Sequence, residues 1–262
     1  MDMKFKEKFE ALWKRYFADA ELPVTFYYTD AETQGRTVSA DSSNRCLVAN
    51  LVKVRKGEAL RFDADAIGCP GGRRYLGFSD TIRPGFEYFL SCGIPGKMEG
   101  ERYKKSPELV REVMAKAPAF KAPARFIVFK RWDLLEKTES PDAVIFFAGA
   151  DVLSGLFTLA SFDEAETSGV IAPFSAGCGS VVGYPYLEKS SKTPRCVIGM
   201  FDPSARPYVE PDRLSFAAPM EKFTAMVGDM EESFLTTPTW KKIRDRMSRR
   251  GRAGRLASRF LA

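Results

Sequence analysis

The stretch I-G-C-P-G-G-R-R-Y-L-G-F, Ile67 to Phe78, combines a thiol, a helix-start signal and two adjacent arginines. Pro70 is favoured at the first position of a helix, so the sequence predicts a helix with Cys69 at or near its N-cap. The free backbone N–H groups and the positive end of the helix dipole favour a thiolate or a bound anion there. We therefore predict that Cys69 is a reactive, catalytic sulfur. The guanidinium groups of Arg73 and Arg74 are predicted to bind a carboxylate or phosphate.

A degenerate copy of this stretch lies in the second half of the chain, at Arg195 to Tyr208. It repeats the hydrophobic run, the glycine, the proline-containing turn, and the arginine and tyrosine that follow. Three more pairs of segments match: Asn44–Val48 with Ala176–Ser180, Cys92–Met98 with Phe216–Lys222, and Leu22–Tyr28 with Ala122–Phe129. The matches predict an internal duplication. We divide the chain into residues 1–118, residues 119–235 and a basic tail of residues 236–262.

Three of the five cysteines, Cys46, Cys69 and Cys178, have glycine, proline or arginine around them and matching places in the predicted repeat. We predict that they approach one another where the halves meet. Such a thiol cluster suits a soft metal, an iron–sulfur cluster or a redox disulfide. The alternative is that the thiols are buried and inert, and this interpretation is favoured for Cys92 and Cys196, which lie in apolar runs. No C-x-x-C occurs, which removes the main support for a zinc ribbon or a thioredoxin-type site.

The second copy also supplies Asp202 and Arg206, which we predict as further ligand-binding residues for a small anionic molecule. A structural ion pair between a turn aspartate and such an arginine is the alternative. Gly177–Gly183 departs from the dinucleotide fingerprint G-x-G-x-x-G, because its third glycine is displaced by one residue and Pro173 interrupts the preceding apolar run. Close packing at these glycines is therefore favoured over nucleotide binding.

Histidine is absent from all 262 residues. This absence excludes Ser-His-Asp and Cys-His catalysis, the zincin motifs and haem held by a proximal histidine. Acid–base chemistry would fall to Cys, Asp, Glu, Lys, Tyr or a cofactor.

The charge is concentrated at the C-terminus. The total is +6, and the stretch from Lys241 to Ala262, with nine basic residues and one acidic residue, carries +8, so the rest carries −2. The tail is predicted to bind nucleic acid or an anionic membrane surface, with a solvated terminus as the alternative. Gly251 and Gly254 are expected to break its helix.

No run of about 18 apolar residues occurs, so we expect no membrane span. The charged start of the chain lacks the apolar core of a signal peptide, and we expect a cytoplasmic protein. We keep a homo-oligomer as an alternative to a monomer.

The periodicity predicts an α+β fold, with α/β as the alternative. Apolar residues at helical spacing from Phe5 to Phe17 predict an amphipathic helix, and Ser106-Pro107 predicts another whose Leu109 and Val110 face inward. The predicted strands include residues 24–29, 126–129, 143–148, 196–201 and 214–217; residues 46–55 are predicted as a short helix or a buried strand; helices are also predicted at 151–161 and 220–234.

Several of these motifs together resemble the family called domain of unknown function 169, found in bacteria and archaea. They are C-x-G-G-R followed by L-G, a later G-C-x-S, and D-P-S-A-R followed by D-x-L-x-F-x-x-P. The resemblance covers Pro23 to Phe234 and leaves the basic tail outside. It implies that the cysteine and arginine positions form a site, and it implies no reaction type.

Our leading hypothesis is a protein that holds a cofactor, metal or small anionic ligand between its halves. The more specific version of this hypothesis is a redox or metal-dependent enzyme. A non-catalytic ligand-binding or regulatory module, whose basic tail contacts nucleic acid or a partner protein, is the second hypothesis. A structural oligomeric protein with inert cysteines is the third.

Overall fold

The computed structural model describes residues 1–18, 20–32, 34–38 and 46–259, and for residues 250–259 it describes the backbone alone. One mixed sheet runs through the described chain in the order β2-β3-β4-β1-β5-β8-β7-β6. Its strands are β1 (Val24–Thr29), β2 (Arg36–Thr37), β3 (Leu60–Phe62), β4 (Phe126–Arg131), β5 (Ala143–Ala148), β6 (Val170–Ile171), β7 (Cys196–Gly199) and β8 (Leu214–Pro219). The mixed sheet and the helices around it confirm the α+β prediction.

The strand order is symmetric about the central pair β1 and β5. On each side of this pair, the next two pairings are antiparallel and the outermost, β2 with β3 or β6 with β7, is parallel. The central pair is itself antiparallel, with Val24 opposite Ile145. The sheet therefore consists of two four-strand halves with matching order and matching pairing senses.

The α-helices of the described chain are α1 (Met3–Phe17), α2 (Leu47–Arg55), α3 (Pro70–Tyr75), α4 (Phe86–Phe89), α5 (Pro107–Lys116), α6 (Ala150–Ala160), α7 (Tyr184–Glu188), α8 (Met220–Asp229) and α9 (Pro238–Arg259). A π-helical segment, Gly179–Gly183, continues directly into α7. Local signals place several of the helix starts. The Asp2 side chain accepts a hydrogen bond from the Lys4 N–H at the start of α1, and Ser106 accepts one from the Leu109 N–H at the start of α5.

One side of the sheet, here called the aromatic face, is covered by α1, α6, α8 and α9. The Phe9 ring lies 4.9 Å from Phe223 and 5.0 Å from Trp132, and Trp13 stacks on Phe17 at 4.2 Å between ring centroids. Such ring pairs add about 0.5–1.5 kcal/mol each beyond the area they bury. The predicted amphipathic stripe of α1 is confirmed, because these side chains enter the core.

The opposite side, here called the thiol face, is covered by α2, α3 and the π segment. Phe26 and Phe129 of the sheet pack there against Leu51 of α2 and Val181 of the π segment. Cys178 belongs to this core, and Cys46 packs against it. Period-two alternation along β1 sends Phe26 to this face and its neighbours Thr25 and Tyr27 to the other.

Two local expectations are wrong. Leu109 is exposed, because only Val110 of α5 is buried, so the apolar stripe of this helix is narrower than its sequence suggests. The helix α9 continues through Gly251 and Gly254 to Arg259. Each glycine costs a helix about 1 kcal/mol relative to alanine, which a helix anchored by tertiary contacts at its first turns can tolerate. No helix of the described ranges is both long and apolar enough to cross a membrane.

Candidate functional site

Two helices on the thiol face begin at a cysteine, and a third cysteine lies in the first turn of a helical segment. Cys46 is the N-cap of α2 and Cys69 is the N-cap of α3, as predicted, and neither thiol makes a side-chain capping bond. Cys178 directly precedes the π segment. Serine, threonine, aspartate and asparagine are the residues that stabilise an N-cap, so capping does not explain cysteine at these places.

The structure brings these three cysteines together. The Cys178 thiol is buried, and burial raises its pKa well above the ordinary value; the charges of Cys46 and Cys69, and then that of Asp202, raise it further. Cys69 is exposed, Cys46 is half-buried, and no disulfide joins any of the five cysteines. The cluster therefore extends from the surface into the core.

Gly72 allows α3 to approach Cys178. A Cβ atom at Gly72 would lie 3.0 Å from the Ile67 Cγ2 atom, 3.7 Å from the Cys69 Cβ atom and 3.8 Å from the Cys178 Sγ atom. The second glycine of C-P-G-G-R-R thus contacts two of the three thiol-bearing residues. A larger side chain there would separate α3 from the Cys178 segment.

The glycines around Cys178 have a similar role. A Cβ atom at Gly179 would lie 2.9 Å from the Tyr75 ring, and one at Gly183 would lie 3.1 Å from the same ring. A Cβ atom at Gly177 would lie 3.0 Å from both Val48 and Ala205, and 3.2 Å from the Met200 Sδ atom. The G-C-G-S-V-V-G pattern is therefore explained by close approach of α2, α3 and the loop after β7.

Asp202 holds the start of the Cys178 segment. Its carboxylate accepts hydrogen bonds from the Gly177 N–H at 3.1 Å, and from the backbone N–H and hydroxyl of Ser204 at 3.0 and 2.8 Å. No ion pair joins Asp202 to Arg206 among the described residues. The structural ion pair that was the alternative to ligand binding is therefore not formed between these two residues. A carboxylate at the first turn also interacts favourably with the helix dipole.

The three predicted arginines differ in their contacts. Arg73 donates from Nε to the Ile67 carbonyl at 2.7 Å, and neither of its two Nη groups has a hydrogen-bond partner within the described ranges. Arg74 donates to the Asp80 and Ala117 carbonyls. Arg206 donates to the carbonyls of Met200, Glu210, Pro211 and Arg213. Arg74 and Arg206 therefore hold loops through their Nη groups, and Arg73 is the one of the three whose two Nη groups both lack a partner within the described ranges.

Two tyrosines that the sequence analysis did not select adjoin the cluster. Burial raises the pKa of Tyr75 to about 12; the nearby Tyr184 and Cys178 add to the rise, while Arg74 and a hydrogen bond from the Ala176 N–H oppose it. Burial raises the pKa of Tyr103, and the nearby carboxylates of Glu101 and Asp202 raise it further, while Ser204 opposes the rise. The Y of C-P-G-G-R-R-Y carried a signal for the first, since it repeats in both copies of the stretch. No signal in the sequence indicated the second.

No group of three or more Cys, Asp or Glu residues in the described chain is arranged around a single metal ion. The metal ligands predicted at Cys46, Cys69 and Cys178 are neighbours without that arrangement, so their role as ligands stays a prediction.

Comparison with known families agrees with the motifs. The model of the family described as uncharacterised ArCR, domain of unknown function 169, matches residues 20–229. The chain belongs to this family. Within domain of unknown function 169, the matched span contains all three clustered cysteines, Arg73 and Asp202, and it ends before α9. No curated protein and no solved structure matches the chain.

Proposed function

We propose that this member of the family binds a thiophilic redox cofactor, an iron–sulfur cluster, through Cys46, Cys69 and Cys178. The observation that carries the proposal is the gathering of three thiols from distant segments on one face, two at helix N-caps and one in the first turn of a helical segment. Thiolates are the usual ligands of iron–sulfur clusters.

The residues present fit such a group. A cluster attaches each thiolate to a different iron, so its ligands are spaced more widely than in the single-ion arrangement that the described residues lack. Backbone N–H groups at the starts of α2 and α3 would supply donors and positive dipole ends for a negatively charged cluster. When bound, the cluster would supply electron transfer at this face of the protein. The buried Cys178 thiol must lose its proton on binding, so cofactor affinity would rise with pH.

Arg73 would bind a small anion beside the cofactor. Its Nε bond to the Ile67 carbonyl turns the side chain back toward the start of α3, where Cys69 lies. Two Nη groups then remain to donate to a carboxylate or phosphate, a geometry that guanidinium groups favour. Asp202 would act as a positioning residue, because it fixes the Gly177 N–H beside Cys178.

Anaerobic purification tests the proposal. We expect a coloured protein that contains iron and acid-labile sulfide, and we expect both to be lost in Cys69→Ser. Cys92→Ser is the matched control, because Cys92 is also exposed and lies outside the cluster. Colourless, iron-free protein from iron-replete anaerobic cells would contradict the proposal, and so would equal iron in the Cys69→Ser protein.

A dithiol–disulfide couple is the second candidate, favoured by the graded exposure of the cluster. Exposed Cys69 would attack a disulfide such as glutathione disulfide, form a mixed disulfide and release one glutathione thiol. Half-buried Cys46 would then attack the Cys69 sulfur and release the second glutathione thiol. Two protein thiols are oxidised and one disulfide is reduced. Peptide mapping after such treatment should find a bridge between Cys69 and Cys46 or Cys178, and finding Cys69 bridged to none of them would exclude this form.

The symmetric sheet supports the proposed duplication. Cys46 and Cys178 both lie between the second and third strands of a half, at the start of a helical segment. The halves defined by strand order would meet between Arg131 and Ala143, and this boundary lies later in the chain than residue 118. The sequence matches pair β1 with β4 as repeats, whereas the strand order would place both strands in the same half.

Five unbridged thiols also suit a reducing compartment, and we propose the cytoplasm.

A further inference from the structure

A basic cleft separates the C-terminal end of α1 from α9, on the side of the molecule away from the thiols. Its volume is about 470 Å³. Four of its lining residues are basic (Lys14, Arg15, Arg244 and Arg249), and the acidic one is Asp245. The cleft is large enough for a phosphate group with its sugar.

The helix that forms one wall is held in place by its other side. Trp240 is buried and donates from Nε1 to the Tyr16 carbonyl at 2.8 Å. Ile243 and Met247 pack against the aromatic face, and Arg246 pairs with Asp151. The basic side chains are thus presented on a fixed helix beside the end of α1, in contrast to a solvated terminus.

Two of the four basic side chains are uncompensated. Arg15 pairs with Glu231 and Arg244 with Asp245, whereas exposed Lys14 and Arg249 form no ion pair within the described ranges. The stretch from Lys241 to Ala262 carries a net charge of +8, and the rest of the chain carries −2. The excess positive charge of the sequence is therefore concentrated in the segment that forms α9, whose backbone is about 33 Å long at 1.5 Å per residue.

We infer that this cleft and the basic side of α9 bind the phosphate backbone of a nucleic-acid strand. A line of charge of this length matches successive phosphates, whose neutralisation releases counterions. An anionic membrane is disfavoured because an interfacial helix inserts an apolar face, and the apolar residues of α9 up to Arg249 are directed into the protein.

The experiment measures binding of the full chain to short fluorescent DNA, single-stranded and duplex, across a salt series. We expect binding that weakens steeply with salt. Lys14→Glu/Arg249→Glu should lower the affinity about tenfold or more at low salt and reduce the salt slope by about two. Both positions are exposed, so the thermal unfolding temperature should not change.

Lys97→Glu/Lys121→Glu is the matched control, because it changes net charge equally at exposed positions outside the cleft. Affinity close to that of the unsubstituted chain in this control supports the inference. Equal losses in both double variants would overturn it, since net charge alone would then explain binding. Binding to phosphatidylserine vesicles without binding to DNA would overturn it as well, and so would failure of the intact chain to bind DNA at low salt.

Discussion

Cys178 and Cys196 are both buried thiols, and burial raises the pKa of each above its ordinary value. Cys196 lies on the aromatic face with its Sγ atom 3.8 Å from the Met226 Sδ atom, among apolar side chains. Cys178 lies on the thiol face beside two further cysteines, an aspartate and close-packed glycines. Burial alone therefore does not distinguish a structural thiol from a candidate ligand. The residues next to each thiol make the distinction.

The two faces also differ in how they are packed. The aromatic face is filled by large rings in contact, the arrangement that contributes most stability per residue. On the thiol face, side chains closely approach the glycine backbones, and Met200 there has a left-handed φ of 67°, an uncommon conformation for a residue with a side chain. We infer that stability resides mainly on the first face and ligand binding on the second.

The largest effect is expected from Trp240→Ala, which should lower the free energy of unfolding by about 3–5 kcal/mol. The substitution removes a buried indole that packs on Phe17 at 5.3 Å and bonds the Tyr16 carbonyl. Denaturant titration measures the loss. Trp240→Phe keeps a ring and should cost less, because it removes the hydrogen bond, worth about 0.5–1.5 kcal/mol, and leaves only a smaller cavity. Equal stability of Trp240→Ala and Trp240→Phe would contradict the inference that ring packing on this face stabilises the fold.

The next effect concerns Glu139, whose side chain is fully buried beside Lys130 and Tyr27. Burial opposes its ionisation, but hydrogen bonds from Lys130 and Tyr27 outweigh this and hold the pKa of its carboxyl below the ordinary value. Glu139→Gln should cost about 1.5–3 kcal/mol at neutral pH.

A depressed folded-state pKa gives the pH dependence of this contribution. It is complete above the unfolded pKa of about 4.3 and is lost as the pH falls through the lower folded-state value. The stability difference between the two proteins should therefore shrink in acid. A difference that stays constant from neutral to acidic pH would show that Gln lacks a hydrogen-bond acceptor, and that the charge of Glu139 contributes nothing.

Serine substitutions compare the two buried thiols directly. Cys196→Ser places a hydroxyl among apolar groups and should cost about 1–3 kcal/mol without changing the iron content. Cys178→Ser should cost less stability and abolish iron binding. Denaturation curves and iron analysis on both proteins give the contrast. Iron loss in Cys196→Ser with retention in Cys178→Ser would reverse the roles of the faces.

Alkylation rates give the smallest perturbation of the protein. Exposed Cys69 and Cys92 should react about tenfold or more faster than Cys178 and Cys196 in the native protein. Reconstitution with iron and sulfide should protect Cys69 and leave Cys92 reactive. Peptide mass spectrometry resolves each site, and protection of both, or of neither, would argue against a cofactor at the cluster.

Short-range signals predicted much of the fold. Pro70 and Pro107 marked helix starts, the apolar spacing of α1 marked its buried stripe, and β1 and β5 have the predicted bounds. These features depend on residues within one or two turns of each other. The helix at Leu47–Arg55 stayed undecided against a buried strand, because a short apolar run fits both.

The site was predicted only in part. The glycine, proline and arginine around three cysteines singled them out, and the structure brings those three together. Arg74 and Arg206 could not be told from Arg73 by sequence, because their partners are backbone carbonyls of loops whose course the sequence does not specify. Tyr103 lies near Ser204 although about a hundred residues separate them in the chain, and no local pattern encodes this proximity.

The sequence by itself determined the residue types available for chemistry: cysteine and arginine without histidine, on elements whose starts it also marks. Only the tertiary structure decided which of these residues meet, that the eight strands are ordered symmetrically, and that α9 is anchored by Trp240. The reason is physical. Helix starts and amphipathic stripes arise from contacts a few residues apart, whereas a thiol cluster depends on how separate elements pack, and that is fixed by the whole core at once.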